Sequence, residues 1–185
     1  MFSFKRWAAS ASACLLLSLS VAPLFSQAAA EQKAPQAKTK AEYDAYTVLY
    51  NELAPAKKAE LAAKFLADHP ETEFVMFVYQ MQIDSYARLG NLDKVVETGE
   101  KVLAIDPRNL PLLLTLSSIL SERPPTEEDK KAAQLDKALE YSTRAIAEIE
   151  ALQKPAPMPD ELWTTEKNKL LATVNVSIDR IKKQR

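Results

Sequence analysis

Apolar residues recur every three to four positions from residue 41 to the end of the chain, which is the period of a helix with one buried face. Short segments rich in proline, glycine and asparagine interrupt this pattern, as helix ends do. The expected helices are 41–53, 55–68, 71–89, 92–105, 110–122, a long helix ending near residue 153, and a last helix from residue 160. The pattern therefore predicts about seven helices in antiparallel pairs and no strand.

The first thirty residues have the organisation of a secretory signal peptide. Lys5-Arg6 forms a basic start, and residues 14–24 are the most apolar stretch. Ala28-Ala29-Ala30 supplies the small residues that a signal peptidase reads, which places the expected cut before Glu31. We therefore expect an exported, periplasmic protein of a bacterial envelope, with no membrane insertion after cleavage. The alternatives are an uncleaved anchor and a lipid on Cys14, although Cys14 precedes the apolar residues instead of following them.

Composition excludes several classes of protein. The chain has 185 residues, 47% hydrophobic and 26% charged, which suits one compact domain or a short run of repeats. It contains only two glycines, so the glycine-rich loops that bind nucleotide phosphates cannot be built. The net charge of −1 gives no positive surface for nucleic acid. The single cysteine lies in the signal peptide, so the exported chain has no disulfide and no thiol chemistry.

Residues 73–109 follow a repeat pattern of known length. A unit of about 34 residues that closes at Pro107 begins at Met76. Large residues, an inter-helix turn and a closing Asp-Pro stand at positions that the tetratricopeptide pattern uses, namely Tyr79, Tyr86, Gly90-Asn91-Leu92, Leu103 and Asp106-Pro107. The segment therefore resembles a tetratricopeptide repeat.

Three positions depart from the family pattern. Ile83 and Val95 stand where the family has a small residue, and Gly99 stands where it has an aromatic one. A glycine inside a helix costs about 1 kcal/mol relative to alanine. Gly99 is therefore present either because a neighbouring helix approaches closely or because it is simply tolerated. Residues 57–70 and 138–146 match the repeat more weakly, and the turn before the second of these has grown by about nine residues.

The resemblance implies a fold and a domain organisation. Residues 41–185 would form an all-α, right-handed superhelix of about 3.5 antiparallel helix pairs, with the last helix as an unpaired half-repeat or a solvating cap. Residues 31–40 are polar, contain Pro35 and lack an apolar period, so we expect a disordered tether there. A plain antiparallel helical bundle is the alternative to stacked repeats.

Few residues offer chemistry. The only histidine, His69, precedes Pro70 in a turn and is expected to be solvated. Ser117 and Ser118 lie in an apolar helix with no basic residue near them in sequence, so we expect them to serve packing. Carboxylates cluster in first helical turns, where they offset the helix dipole. We therefore predict no catalytic residue, no metal site and no cofactor.

One polar stripe is a candidate for partner binding. Gln80, Asp84 and Arg88 are spaced four residues apart and share one face of the helix that opens the clearest repeat. In the tetratricopeptide family that helix lines a concave groove that contacts peptides, so the resemblance implies a binding role. We expect these three side chains to be exposed, and Ile83 and Tyr86 to be buried. The alternative is an ordinary exposed ion pair between Asp84 and Arg88.

These features favour a non-enzymatic protein-interaction or scaffold module of the bacterial envelope, which binds a peptide or protein partner through a concave helical surface. One alternative is an exported helical subunit with a structural role in a larger assembly, including self-association through the terminal helix. The other is a hydrolase that uses carboxylates alone. Such an enzyme needs two acidic side chains facing each other across a cleft, one of them desolvated enough to hold a proton.

Overall fold

The computed structural model describes residues 34–185, which form seven α-helices and no strand. The helices are α1 (Lys40–Asn51), α2 (Pro55–Asp68), α3 (Val75–Arg88), α4 (Leu92–Ile105), α5 (Leu110–Glu122), α6 (Glu128–Ala151) and α7 (Asp160–Gln184). The predicted all-α class and number of helices are confirmed for these residues. The predicted signal peptide, its cleavage site and the two alternatives at residues 1–30 lie outside the described residues.

The turn between α3 and α4 shows how local sequence ends one helix and starts the next. Gly90 adopts a left-handed φ of 69°, which an L side chain rarely takes. The backbone N–H of Asn91 donates to the carbonyl of Tyr86 at 2.9 Å and that of Gly90 to Ala87 at 3.0 Å, forming a Schellman motif. The Asn91 side chain then accepts from the backbone N–H of Lys94 at 3.1 Å and caps α4.

The start of α3 differs from the prediction. The helix begins at Val75, four residues later than the acidic segment at Glu71 indicated. The reason is a long-range contact, because the hydroxyl of Thr72 donates to the buried carboxylate of Glu42 in α1 at 2.6 Å. The same hydroxyl accepts from the backbone N–H of Phe74 at 3.1 Å, which holds the turn before the helix.

Each helix packs against the next one along the chain, and α5 also packs against α7. Two hydrophobic clusters result. The N-terminal cluster joins α1, α2 and the start of α3 around Leu49, Ala62, Phe65, Phe74 and Val78. The main cluster extends from Ile83 in α3 to Ile181 in α7. This arrangement of packed neighbours is compatible with a helical repeat fold.

Residues 34–39 lie against the helical domain. The backbone N–H of Gln36 donates to the carboxylate of Glu73 at 2.9 Å, and Ala37 packs against the N-terminal cluster. The ammonium of Lys38 lies 3.6 Å from the carboxylate of Glu71. The later part of the predicted tether therefore contacts the segment that precedes α3.

Gly99 lies where α4 and α5 approach each other closely. A Cβ atom at this position would lie 2.9 Å from Cδ2 of Leu116 and 3.2 Å from Cδ1 of Leu112. Carbon atoms in contact are ordinarily about 3.5–4.0 Å apart. Of the two explanations for this glycine, close helix packing is therefore the one that the structure supports.

Candidate partner-binding surface

Helix α3 lies between the two hydrophobic clusters and is buried on two sides. Val78 belongs to the N-terminal cluster, whereas Ile83 belongs to the main cluster, against which Tyr79 also packs. Burial on both sides leaves a narrow solvent-facing stripe, which consists of Phe77, Gln80, Asp84 and Arg88 and is called the α3 stripe below. Its residues are three or four positions apart, so they follow one another along a single helix face.

The three predicted residues of the α3 stripe are exposed as expected. Nε of Arg88 lies 3.2 Å from a carboxylate oxygen of Asp84, so the two charges form a solvent-exposed ion pair one helical turn apart. Ile83 is only 9% exposed, which confirms its predicted burial. Tyr86 is half-buried, with its ring packed against the main cluster, so its predicted burial is only partly met.

Phe77 is the residue that sequence reasoning missed. It lies one turn before Gln80 and is 51% exposed, although it is a large aromatic side chain. Hydrophobicity alone assigns every residue of the apolar run 74–79 to the core. The available signal was its spacing of three residues from Gln80, which places both residues on one helix face.

The α3 stripe carries almost no net charge. Asp84 and Arg88 offset each other, and their exposure means that water screens the pair, which is worth at most about 1 kcal/mol. Because the pair contributes so little to stability, either side chain is free to exchange its intramolecular partner for a group on another molecule. The α3 stripe therefore offers an aromatic surface, an amide and two exchangeable charges.

Glu42 is the buried charged side chain of the described residues. The pKa of its carboxyl lies below the ordinary value, chiefly because the Thr72 hydroxyl donates to it, while burial acts in the opposite direction. The backbone N–H of Lys38 also donates to it at 2.6 Å. Glu42 is therefore an ionised carboxylate that ties the segment before α1 to the turn before α3.

Ser117 and His69, the other residues that the sequence offered for chemistry, make structural contacts. Ser117 and Ser142 are buried with their hydroxyl oxygens 2.6 Å apart, and Ser142 also donates to the carbonyl of Ala138. Ser117 must therefore donate to Ser142, a contact between α5 and α6 that agrees with the predicted packing role. His69 is half-buried at the end of α2, with its ring 4.9 Å from that of Phe65. Within residues 34–185, no three His, Cys, Asp or Glu side chains are grouped so that they could hold a metal ion.

Tyr141 lies in a polar contact between α4 and α6. Lys137 donates to the carboxylate of Glu100 at 2.6 Å, and the guanidinium of Arg144 stands over the Tyr141 ring at 5.6 Å. Burial and the nearby charge of Glu100 raise the pKa of the Tyr141 hydroxyl to about 12. The contacts of Glu100 with Lys137 and Tyr141 join helices that are not neighbours in sequence.

Within residues 34–185, none of the helices combines the length and the apolar character needed to cross a membrane. Comparisons of the chain with models of protein families, with curated proteins and with solved structures found no match. The tetratricopeptide resemblance therefore rests on the residues of this chain alone.

Proposed function

We propose that this chain is a non-enzymatic, tetratricopeptide-like interaction module of the bacterial envelope, which binds a peptide or protein partner through the α3 stripe. The observation that carries the proposal is the exposure of Phe77 in line with Gln80, Asp84 and Arg88 on a helix buried on its other sides. Aromatic and arginine side chains supply most of the residues that dominate binding energy at protein interfaces.

The dimensions of the α3 stripe suit a short segment of a partner. Phe77 and Arg88 are separated by eleven positions, which corresponds to about 16 Å along an α-helix. An extended peptide covers that distance with about five residues, at roughly 3.3 Å each. A partner segment of this length reaches from the aromatic ring to the guanidinium, so one peptide contacts both.

Two features support a tetratricopeptide-like stack as the scaffold. The Schellman turn at Gly90 falls between the two helices of the clearest repeat, and Gly99 brings the second helix of that repeat close to α5. In addition, α5 packs on α7, two helices further along, as the first helices of successive repeats do, whereas α3 does not pack on α5, so this contact supports stacking only in the C-terminal part of the chain. Stacks of this kind present extended concave surfaces to their partners.

Comparative capture from envelope extracts tests the proposal. The baits are the exported chain, residues 31–185, the variants Phe77→Ala and Arg88→Glu, and the matched control Lys64→Glu. Lys64 pairs with Asp68 in an exposed contact of the same spacing on α2. We expect the native chain and the control to enrich the same protein, and both stripe variants to lose it.

Stability measurements separate lost binding from lost folding. Arg88→Glu should change the free energy of unfolding by only a few tenths of a kcal/mol, as exposed ion pairs do. Its effect on partner binding should be at least about 2 kcal/mol if Arg88 is an anchor. Equal capture by the native chain and both stripe variants would contradict a role for the α3 stripe.

A second candidate function is a structural subunit of a larger assembly, and helix α1 provides the observation that favours it. Among the helices, α1 contacts only α2, apart from contacts with the segment before α3. The chain from α1 to the following turn exposes Tyr43, Val48, Tyr50 and Leu53, the last to 85%. Val48 and Leu53 line the same surface pocket, and exposed apolar side chains grouped in this way are typical of contact surfaces. Light scattering should then show assembly that Leu53→Asp abolishes and that the control Leu162→Asp on α7 preserves.

Two observations weigh against the hydrolase alternative. Asp84 is exposed and paired with Arg88, not buried opposite a second carboxylate. Glu42 is buried, but its pKa is lowered, whereas a general acid needs a raised pKa to keep its proton near neutral pH. A non-enzymatic role is therefore the proposal that the side-chain arrangement supports.

A further inference from the structure

A cavity of about 580 Å³ lies between the turn that joins α3 to α4, the end of α5 and the start of α6. Leu92, Val96 and Ile119 form its apolar floor, while Leu89, Asp93 and Arg123 stand at its rim. The volume falls within the range of ligand pockets, about 300–1,000 Å³. The cavity is therefore large enough to receive one bulky side chain together with the backbone that carries it.

Both walls of the cavity are fixed by hydrogen bonds. On one side, the amide nitrogen of Gln134 in α6 donates to the carbonyls of Leu120 and Arg123, each at 2.9 Å. This anchors the connection between α5 and α6, where the turn is longer than in a regular repeat. On the other side, the Schellman motif at Gly90 fixes the turn before α4. The cavity is thus formed in the free protein and needs no rearrangement.

Arg123 supplies a cation that is not used inside the protein. Most arginines of the described residues pair with a carboxylate, namely Arg88, Arg108, Arg144 and Arg185. Arg123 is exposed and forms no ion pair with residues 34–185. Asp93, on α4, likewise forms no ion pair with residues 34–185. The two charges stand on different walls, so a ligand carboxylate is attracted to the Arg123 wall and repelled from the Asp93 wall.

We propose that this cavity binds an apolar side chain of a partner polypeptide that is followed directly by a carboxylate. The apolar side chain packs on Leu92, Val96 and Ile119, and the carboxylate pairs with Arg123. A polypeptide fits better than a free small molecule because the rim is open, with Leu89 48% exposed, whereas ligand pockets bury most of a small ligand. This proposal rests on the proposed function because the occupant is a polypeptide. The cavity contains no residue of the α3 stripe.

Nuclear magnetic resonance titration of the exported chain with capped peptides tests the proposal. The probes are N-acetyl-Ala-Leu-Glu-amide, N-acetyl-Ala-Leu-Gln-amide and N-acetyl-Ala-Leu with a free carboxylate, which separates an acidic side chain from a chain terminus. We expect shifts at Leu92, Val96 and Ile119, with at least one carboxylate probe binding about fivefold more tightly than the glutamine probe. Arg123→Gln should remove that preference.

Matched variants complete the test. Leu89→Asp adds a carboxylate at the rim that repels the carboxylate of the probe, so it should abolish the shifts of the carboxylate probes. Ile105→Asp should preserve them, because Ile105 is equally exposed but lies at the C-terminal end of α4 and does not line the cavity. Arg88→Glu should also preserve them, so failure of the α3 stripe and failure of the cavity give different results. Equal affinity for the carboxylate and amide probes, or shifts that survive Leu89→Asp, would overturn the proposal.

Discussion

Replacing Gly99 with alanine tests how closely α4 packs on α5. The added Cβ would lie 2.9 and 3.1 Å from the two Cδ atoms of Leu116 and 3.2 Å from Cδ1 of Leu112. Leu116 is fully buried, so its side chain has little space in which to move. Overpacking of this kind costs typically 1–3 kcal/mol, and the gain in helix propensity returns about 1 kcal/mol. We expect a net loss of about 1 kcal/mol.

A double-mutant cycle makes this prediction specific to the contact. Leu116→Val removes both Cδ atoms, so Gly99→Ala should be neutral or stabilising in that background, by up to about 1 kcal/mol. The control Ala104→Gly, at an exposed position of α4, should cost about 0.5–1 kcal/mol. It measures the difference in helix propensity between alanine and glycine in this helix without a packing contribution. The assay is denaturant unfolding followed by far-ultraviolet circular dichroism. A stabilising Gly99→Ala in the native background would refute close packing of α4 on α5.

Three further predictions concern single groups. Gly90→Ala should lower the free energy of unfolding by about 1–2 kcal/mol in the same assay, because a side chain is strained at a φ of 69°. No atom lies within 4 Å of the added Cβ, so the backbone strain accounts for the whole loss, and an unchanged value would contradict the left-handed turn. Glu42→Gln should destabilise the protein at pH 7 by about 1–3 kcal/mol. Because the folded pKa of Glu42 is lowered, that difference should shrink as the pH falls below the unfolded value of about 4.3, and a constant difference between pH 7 and pH 3 would contradict it. Tyr141 should ionise at about pH 12 in an absorbance titration, and this late step should vanish in Tyr141→Phe but not in Tyr50→Phe.

Local sequence predicted most of the helix boundaries because the signals for them are local. The bounds of α4 and α5 agree with the apolar period and with the asparagine, proline and glycine residues around them. The start of α3 was not predictable in this way, because it depends on a hydrogen bond between Thr72 and Glu42, thirty positions apart. Only the folded chain brings these two residues together.

The candidate binding surface was predicted in part for a similar reason. Gln80, Asp84 and Arg88 are polar residues at helical spacing, so their exposure follows from the pattern. The exposure of Phe77 depends on which sides of α3 are covered by α2 and α4, and hydrophobicity alone does not encode this. The cavity beside Arg123 depends on where Gln134 anchors the connection between α5 and α6, and no sequence motif marks that contact.

Site-specific photo-cross-linking in the cells that produce the protein tests the central proposal most directly. A photoreactive phenylalanine derivative replaces Gln80 in the α3 stripe and, as the control, Lys64 on the exposed surface of α2. Illumination should give one defined covalent adduct with a partner protein from position 80 and none from position 64, and Arg88→Glu should remove the adduct from position 80. Absence of an adduct from position 80, or an adduct of the same mass from both positions, would contradict partner binding by the α3 stripe.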